Sequence, residues 1–130
     1  MKIAYTIGYA RREISEFIKI LKEHNVTIVV DVRRFPKSKS PMFGKEMLST
    51  FLRKHGIKYV FLGESLGGFV KGGYRQYMET PRFKGGFKVL LKLINEGTVA
   101  IMCREKNVKY CHRRFISELL QKSGIKVQHI

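Results

Sequence analysis

Val26-Thr27-Ile28-Val29-Val30-Asp31-Val32-Arg33-Arg34 is a β-branched run that ends in a carboxylate and two arginines. A strand apolar at every position, rather than at every second one, is covered on both faces, as happens when helices flank a parallel sheet. The stretches on either side agree. Before the run, Met1 to Ile7 reads as a first strand, β-rich from Ile3 and ending at Gly8, and Ile14, Phe17, Ile18 and Leu21 recur at helical spacing. After it, Phe35 to Gly44 holds two prolines, two serines and two lysines and is predicted as a loop. Met47, Leu48, Phe51 and Leu52 then mark a helix, and Lys58 to Leu62 a third strand.

The second half repeats the alternation. A glycine-rich segment from Gly63 to Gly73 reads as a mobile lid or substrate loop, with a short helical turn from Tyr74 to Thr80. Phe83, Phe87, Leu90, Leu91 and Ile94 share a helical face, and Gly97 stands where a left-handed residue would terminate it. Thr98 to Met102 is a fourth strand that stops at Cys103. A last helix carries Phe115, Ile116, Leu119 and Leu120, with Cys111 on its buried face, and Ile125 to Ile130 is a fifth strand. The expectation is one α/β domain over residues 1–130, a mostly parallel sheet of about five strands with helices on both faces.

In such sheets ligands bind beyond the carboxyl ends of the strands, and Gly8, Asp31, Gly63-Glu64 and Cys103 all sit there. Asp31 reads as a general base or substrate-orienting group, or as a loop-fixing carboxylate paired with Arg33 or Arg34. Cys103, Glu105, Cys111, His112 and Arg113 form the most informative group. A thiol at a strand exit beside cationic residues and a helix N-terminus suits a nucleophile, so Cys103 is assigned that role. Glu105 or His112 would carry the proton, and Arg104 and Arg113 would hold an anionic group. The competing reading makes both cysteines packing residues. A zinc site is disfavoured because neighbouring residues on a helix diverge by about 100°. No metal and no cofactor is expected: Gly-x-Gly-x-x-Gly and Walker motifs are absent, and Cys103 to Lys109 lacks the arginine of a Cys-x5-Arg phosphate loop.

Charge points to the partner. Of 130 residues, 26 are Lys or Arg and 10 are Asp or Glu, a net +16 that draws polyanions. A nucleic acid or a phosphate-bearing small molecule is the expected ligand, the alternative being a merely basic surface. Arg33 to Ser40 joins four cations, two hydroxyls and Phe35, which suits phosphate contact and base stacking on a single strand; Phe69, Tyr74 and Tyr77 could extend that platform. Two cysteines are too few for a secreted disulfide scaffold and favour the cytoplasm. The N-terminal segment has no apolar stretch suited to a signal peptide or a membrane span.

Thr6-Ile7-Gly8-Tyr9, Asp31-Val32-Arg33-Arg34-Phe35-Pro36, Leu62-Gly63 with Leu66-Gly67-Gly68, Tyr77-Met78, Phe83, Cys103-x-Glu105 and Cys111-His112-Arg113 together resemble the domain-of-unknown-function family 488. The resemblance spans essentially the whole chain. It implies site residues at Gly8, Asp31, Arg33, Pro36, Cys103, Glu105, Cys111, His112 and Arg113, and it implies no settled reaction. Two functions follow: an enzyme acting on a nucleotide or nucleic acid, or a non-catalytic nucleic-acid-binding domain.

Overall fold

The computed structural model describes residues 2–130, the side chain of Tyr110 excepted, so Met1 of the N-terminal segment read as a strand lies outside the described residues. Five parallel strands, β1 (Ile3–Gly8), β2 (Ile28–Asp31), β3 (Lys58–Phe61), β4 (Val99–Cys103) and β5 (Lys126–His129), form one sheet in the order β3-β2-β4-β1-β5. Six helices accompany them: α1 (Ile14–Glu23), α2 (Lys45–Lys54), the short α3 (Gly63–Leu66) and α4 (Tyr74–Tyr77), α5 (Pro81–Glu96) and α6 (Arg113–Lys122). The expected α/β architecture is the one observed.

The chain moves across the sheet in one direction from β1 to β2 to β3 and returns from β3 to β4 to β5. Crossovers of one hand therefore put successive helices on opposite faces before and after β3. On one face Phe17, Ile18 and Leu21 of α1 and Leu48 and Leu52 of α2 pack over Val29, Ala100 and Met102. On the other, Leu90, Leu93 and Ile94 of α5 and Ile116 and Leu120 of α6 pack over Val30, Val99 and Ile101. Both central strands, β2 and β4, are buried along their whole length, which is why their sequences run without alternation.

This winding positions the site. β4 lies between β1 and β2, and its outgoing chain turns to the face opposite theirs, leaving a crevice at its carboxyl end. The register sets Gly8 against Cys103 and Asp31 against Met102, so three candidate residues share one edge.

Three local expectations are corrected and one, the loop after β2, is refined. Gly97 has φ −166°, an extended rather than left-handed conformation; it is glycine because a Cβ there would lie 2.5 Å from Thr27 Oγ1. Gly63 to Leu66 is helical, and Gly63 and Gly67 are required by close packing rather than mobility, since Cβ atoms there would meet the Arg33 and Gly63 carbonyls at 1.8 and 2.3 Å. The Phe35–Gly44 loop contains a 3-10 turn, Pro41–Phe43, which drives Phe43 into the core against Tyr9 at a ring separation of 4.6 Å. Cys111 precedes α6 in extended conformation, φ −130° and ψ 145°, instead of lying on its buried face.

Candidate functional site

At the end of β2, Asp31 is completely buried and its carboxylate is filled by protein donors. The backbone N–H and Nε of Arg33 each donate to Oδ1 at 3.0 Å, Arg33 Nη2 donates to Oδ2 at 2.8 Å, and the Tyr59 hydroxyl donates to Oδ2 at 2.5 Å. The other end of the Arg33 guanidinium donates to the Phe43 carbonyl at 2.7 Å and lies 5.2 Å from the centre of the Tyr9 ring. Burial alone would lower the Arg33 pKa, but hydrogen bonding and attraction to Asp31 hold it above its ordinary value. Burial, then the Asp31 charge, raises the Tyr59 hydroxyl. A network so complete fixes the loop that follows β2, a role for which Arg33's planar fork is well matched.

Arg34 does the corresponding work for the glycine-rich segment. Its Nε donates to the Gly68 carbonyl at 2.6 Å and its Nη2 to the Gly67 carbonyl at 3.2 Å, drawing residues 67–68 against the end of β2. Gly8 also serves a close approach: Tyr9 N–H donates to the Cys103 carbonyl and Ala10 N–H to that of Arg104. A Cβ on Gly8 would stand 1.9 Å from the Glu105 carbonyl oxygen.

Chemistry gathers at the end of β4. Cys103 and Cys111 are buried and unbridged, and their sulfurs lie with a ring nitrogen of His112 within 4.8 Å of one another. His112 Nε2 is 2.9 Å from the Val32 carbonyl; a carbonyl only accepts, so Nε2 carries a hydrogen. That leaves Nδ1 toward the Cys111 sulfur at 3.8 Å. The backbone N–H and the Nε of Arg113 also point at this sulfur, at 3.5 and 3.4 Å. Arg113, 1% exposed, is anchored in turn by its Nη2 on the Glu105 carbonyl.

These contacts divide the two thiols. Hydrogen bonding to Cys111, then burial, pushes Cys103 up. Hydrogen bonding from Cys103 lowers Cys111, helped by His112 and the Arg113 N–H against the opposing effect of burial. The His112 ring and the Arg113 N–H groups thus converge on Cys111, whereas the sequence reading assigned the nucleophile's role to Cys103. The helical argument against a metal also fails, because Cys111 and His112 precede the helix and converge with Cys103 as three potential donors.

A cavity of about 430 Å³ opens over this cluster. Cys103, Cys111, His112, Arg33, Arg34, Arg104 and Glu105 line it, while Gly8, Asp31 and Arg113 stand behind its wall. Arg104 and Glu105 form an exposed ion pair at 3.1 Å. Three participants escaped the sequence reading. Tyr9 stacks on Phe43 beneath Arg33, Tyr59 completes Asp31, and the Val32 carbonyl orients His112. Tyr9 and Tyr59 are polar aromatics beside buried strand positions, the one available signal; a backbone carbonyl leaves none.

A family model described as a domain of unknown function, DUF488, matches residues 13–120. The chain belongs to the DUF488 family. No curated protein and no solved structure matches it. The matched span of this DUF488 domain runs from the residue before α1 to the last turn of α6 and takes in both the Asp31–Arg33 pair and the thiol cluster. Among the described residues no helix is long and apolar enough to cross a membrane.

Proposed function

We propose that this DUF488 domain is an enzyme acting on a nucleotide, nucleic acid or other phosphate-bearing ligand, with Cys111 as nucleophile and His112 as its proton acceptor. The observation that carries this reading is that Cys111 lines a cavity while its sulfur is held by Arg113 and flanked by His112 Nδ1, whose opposite nitrogen is fixed on Val32. A nucleophile, a base and a group orienting the base within reach of one another are what covalent catalysis requires. The Cys111 S–H proton passes to Nδ1 and the sulfur lone pair bonds to an electrophilic centre of the ligand. The imidazolium then returns the proton to the departing atom. The Cys103 thiol, within 4.8 Å of the Cys111 sulfur, favours the thiolate, and Arg34 and Arg104 line the cavity that the ligand's charge would enter. Asp31 and Arg33 shape the wall. Two unbridged thiols suit a reducing compartment, and we assign the protein to the cytoplasm.

The test is the pH dependence of iodoacetamide alkylation, read peptide by peptide in the folded protein. Cys111 is expected to react well below the ordinary thiol range, with Cys103 the slow internal comparison. If both react only after unfolding, the cysteines are packing residues and the non-catalytic binding domain becomes the better reading. Stoichiometric zinc in the purified protein would make the cluster a metal site and overturn the nucleophile.

A further inference from the structure

Next to the thiol cavity runs a second one of about 640 Å³, and the two share Tyr9, Lys37, Arg104 and Glu105 in their walls. Its lining is one-sided in charge. Arg11, Lys37, Lys39, Arg104 and Lys106 are set against Glu105 alone, and Glu105 is already paired with Arg104. A groove of this kind tracks a chain of negative charges rather than a single anion.

At the rim of the thiol cavity stand Phe35 and Phe69, 64% and 90% exposed, with ring centres 6.0 Å apart. Phe69 sits at φ 59°, a left-handed conformation unfavourable for a bulky aromatic residue. It is held there because Arg34 grips the two carbonyls immediately before it. The loop is tied down, and the ring is presented to water. Two exposed aromatic faces beside a multivalent cationic groove are complementary to a polymer carrying both phosphates and flat π-systems.

We infer that the groove and the Phe35–Phe69 pair form a binding track for single-stranded nucleic acid. The backbone runs along the Arg11–Lys39–Lys106 groove, and a base stacks at the Phe pair as it enters the thiol cavity. A duplex does not fit this arrangement, because stacked and paired bases offer neither a face to Phe69 nor an edge to a thiol on a cavity floor. The inference rests on the reading of the thiol cavity as a phosphate-ligand site and names its substrate class.

The experiment is fluorescence anisotropy with single-stranded RNA and DNA oligonucleotides of roughly ten nucleotides, within the ~4–16 that stacking sites occupy. An abasic oligonucleotide of the same length and a duplex serve as controls. Wild type is expected to bind the single strands and to bind the duplex far more weakly. Phe35→Ala and Phe69→Ala, both at exposed positions, should each weaken them by roughly tenfold and leave the abasic polymer unchanged. Lys37→Ala and Lys39→Ala should weaken both and each lower the salt dependence by about one ion. Equal affinity for the abasic polymer, or indifference to both phenylalanine substitutions, overturns the track and leaves only a basic surface. Binding that follows the expected pattern while Cys111 proves an ordinary thiol leaves the track standing and removes the nucleophile, so the two failures are distinguishable.

Discussion

The exits of β2 and β4 lie side by side, with Asp31 in register one residue short of Cys103, and both gather charge in a buried setting. They finish differently. At β2 each acid oxygen has its donors, and the partner arginine is satisfied on a carbonyl and an aromatic face. At β4 the donors converge on the sulfur of a residue that lines a cavity, and the imidazole beside it is anchored through its far nitrogen. The difference teaches that a charged residue at a strand exit is not thereby a site; what distinguishes one is a reactive atom in contact with open space. The β2 exit is the rigid wall against which the β4 exit is held, since the Val32 carbonyl between Asp31 and Arg33 is what orients His112.

The comparison breaks most visibly if the β2 exit can be opened cheaply. Asp31→Ala leaves Arg33 charged, 5% exposed and without its carboxylate. Removing one member of a buried pair costs about 3–5 kcal/mol, which urea denaturation would register. Replacing both members, Asp31→Leu with Arg33→Met, should recover much of that loss, because no buried charge is then left alone. A single substitution costing less than about 1 kcal/mol, the level of a solvated surface pair, would show that the network is not sealed.

At the β4 exit the expected effect is on reactivity rather than stability. Cys103→Ala removes the first of the contacts that favour the Cys111 thiolate. The Cys111 alkylation midpoint should therefore move up toward the ordinary thiol range. For every pH unit by which the midpoint rises, the thiolate fraction at a fixed lower pH falls about tenfold. His112→Ala should move it in the same direction. An unchanged midpoint in both variants would mean that Arg113 alone sets the thiol, and would sharpen the contrast by making one arginine responsible on each side.

How much of this was legible in the sequence follows from what each residue type can announce. Strand order of burial was readable because Val29, Val30, Ala100 and Ile101 are apolar without alternation, and helix faces because Phe17, Ile18 and Leu21 repeat at helical spacing. The edge at which Gly8, Asp31 and Cys103 meet followed from chain direction alone. Which thiol would be activated did not follow, because that depends on where Arg113 folds back, and Arg113 lies two residues from Cys111 but ten from Cys103. The glycines misled for a related reason. Gly63 looks like flexibility in a sequence and Gly97 like a left-handed helix stop, yet each is a contact with a residue far away in the chain, Arg33 in one case and Thr27 in the other.

The smallest expected effect tests the last donor on Asp31. Burial, then the Asp31 charge, raises Tyr59 above its ordinary value of 10.0, so the folded state holds its proton more tightly than the unfolded chain does. The contribution of neutral Tyr59 is thus fully present below about pH 10 and is lost as pH rises beyond it. Tyr59→Phe removes one hydrogen bond to a carboxylate that keeps three others, a cost of about 1 kcal/mol at neutral pH. It also removes the ionisation, so the variant should lose less stability than the parent between about pH 9 and pH 11. Tyr74, also raised by burial, titrates in both proteins and cancels from the difference. Denaturant midpoints across that range measure the result. Parallel curves would mean that the Tyr59 hydroxyl is solvated on the edge strand, and the β2 exit would then be less closed than its neighbour's contrast requires.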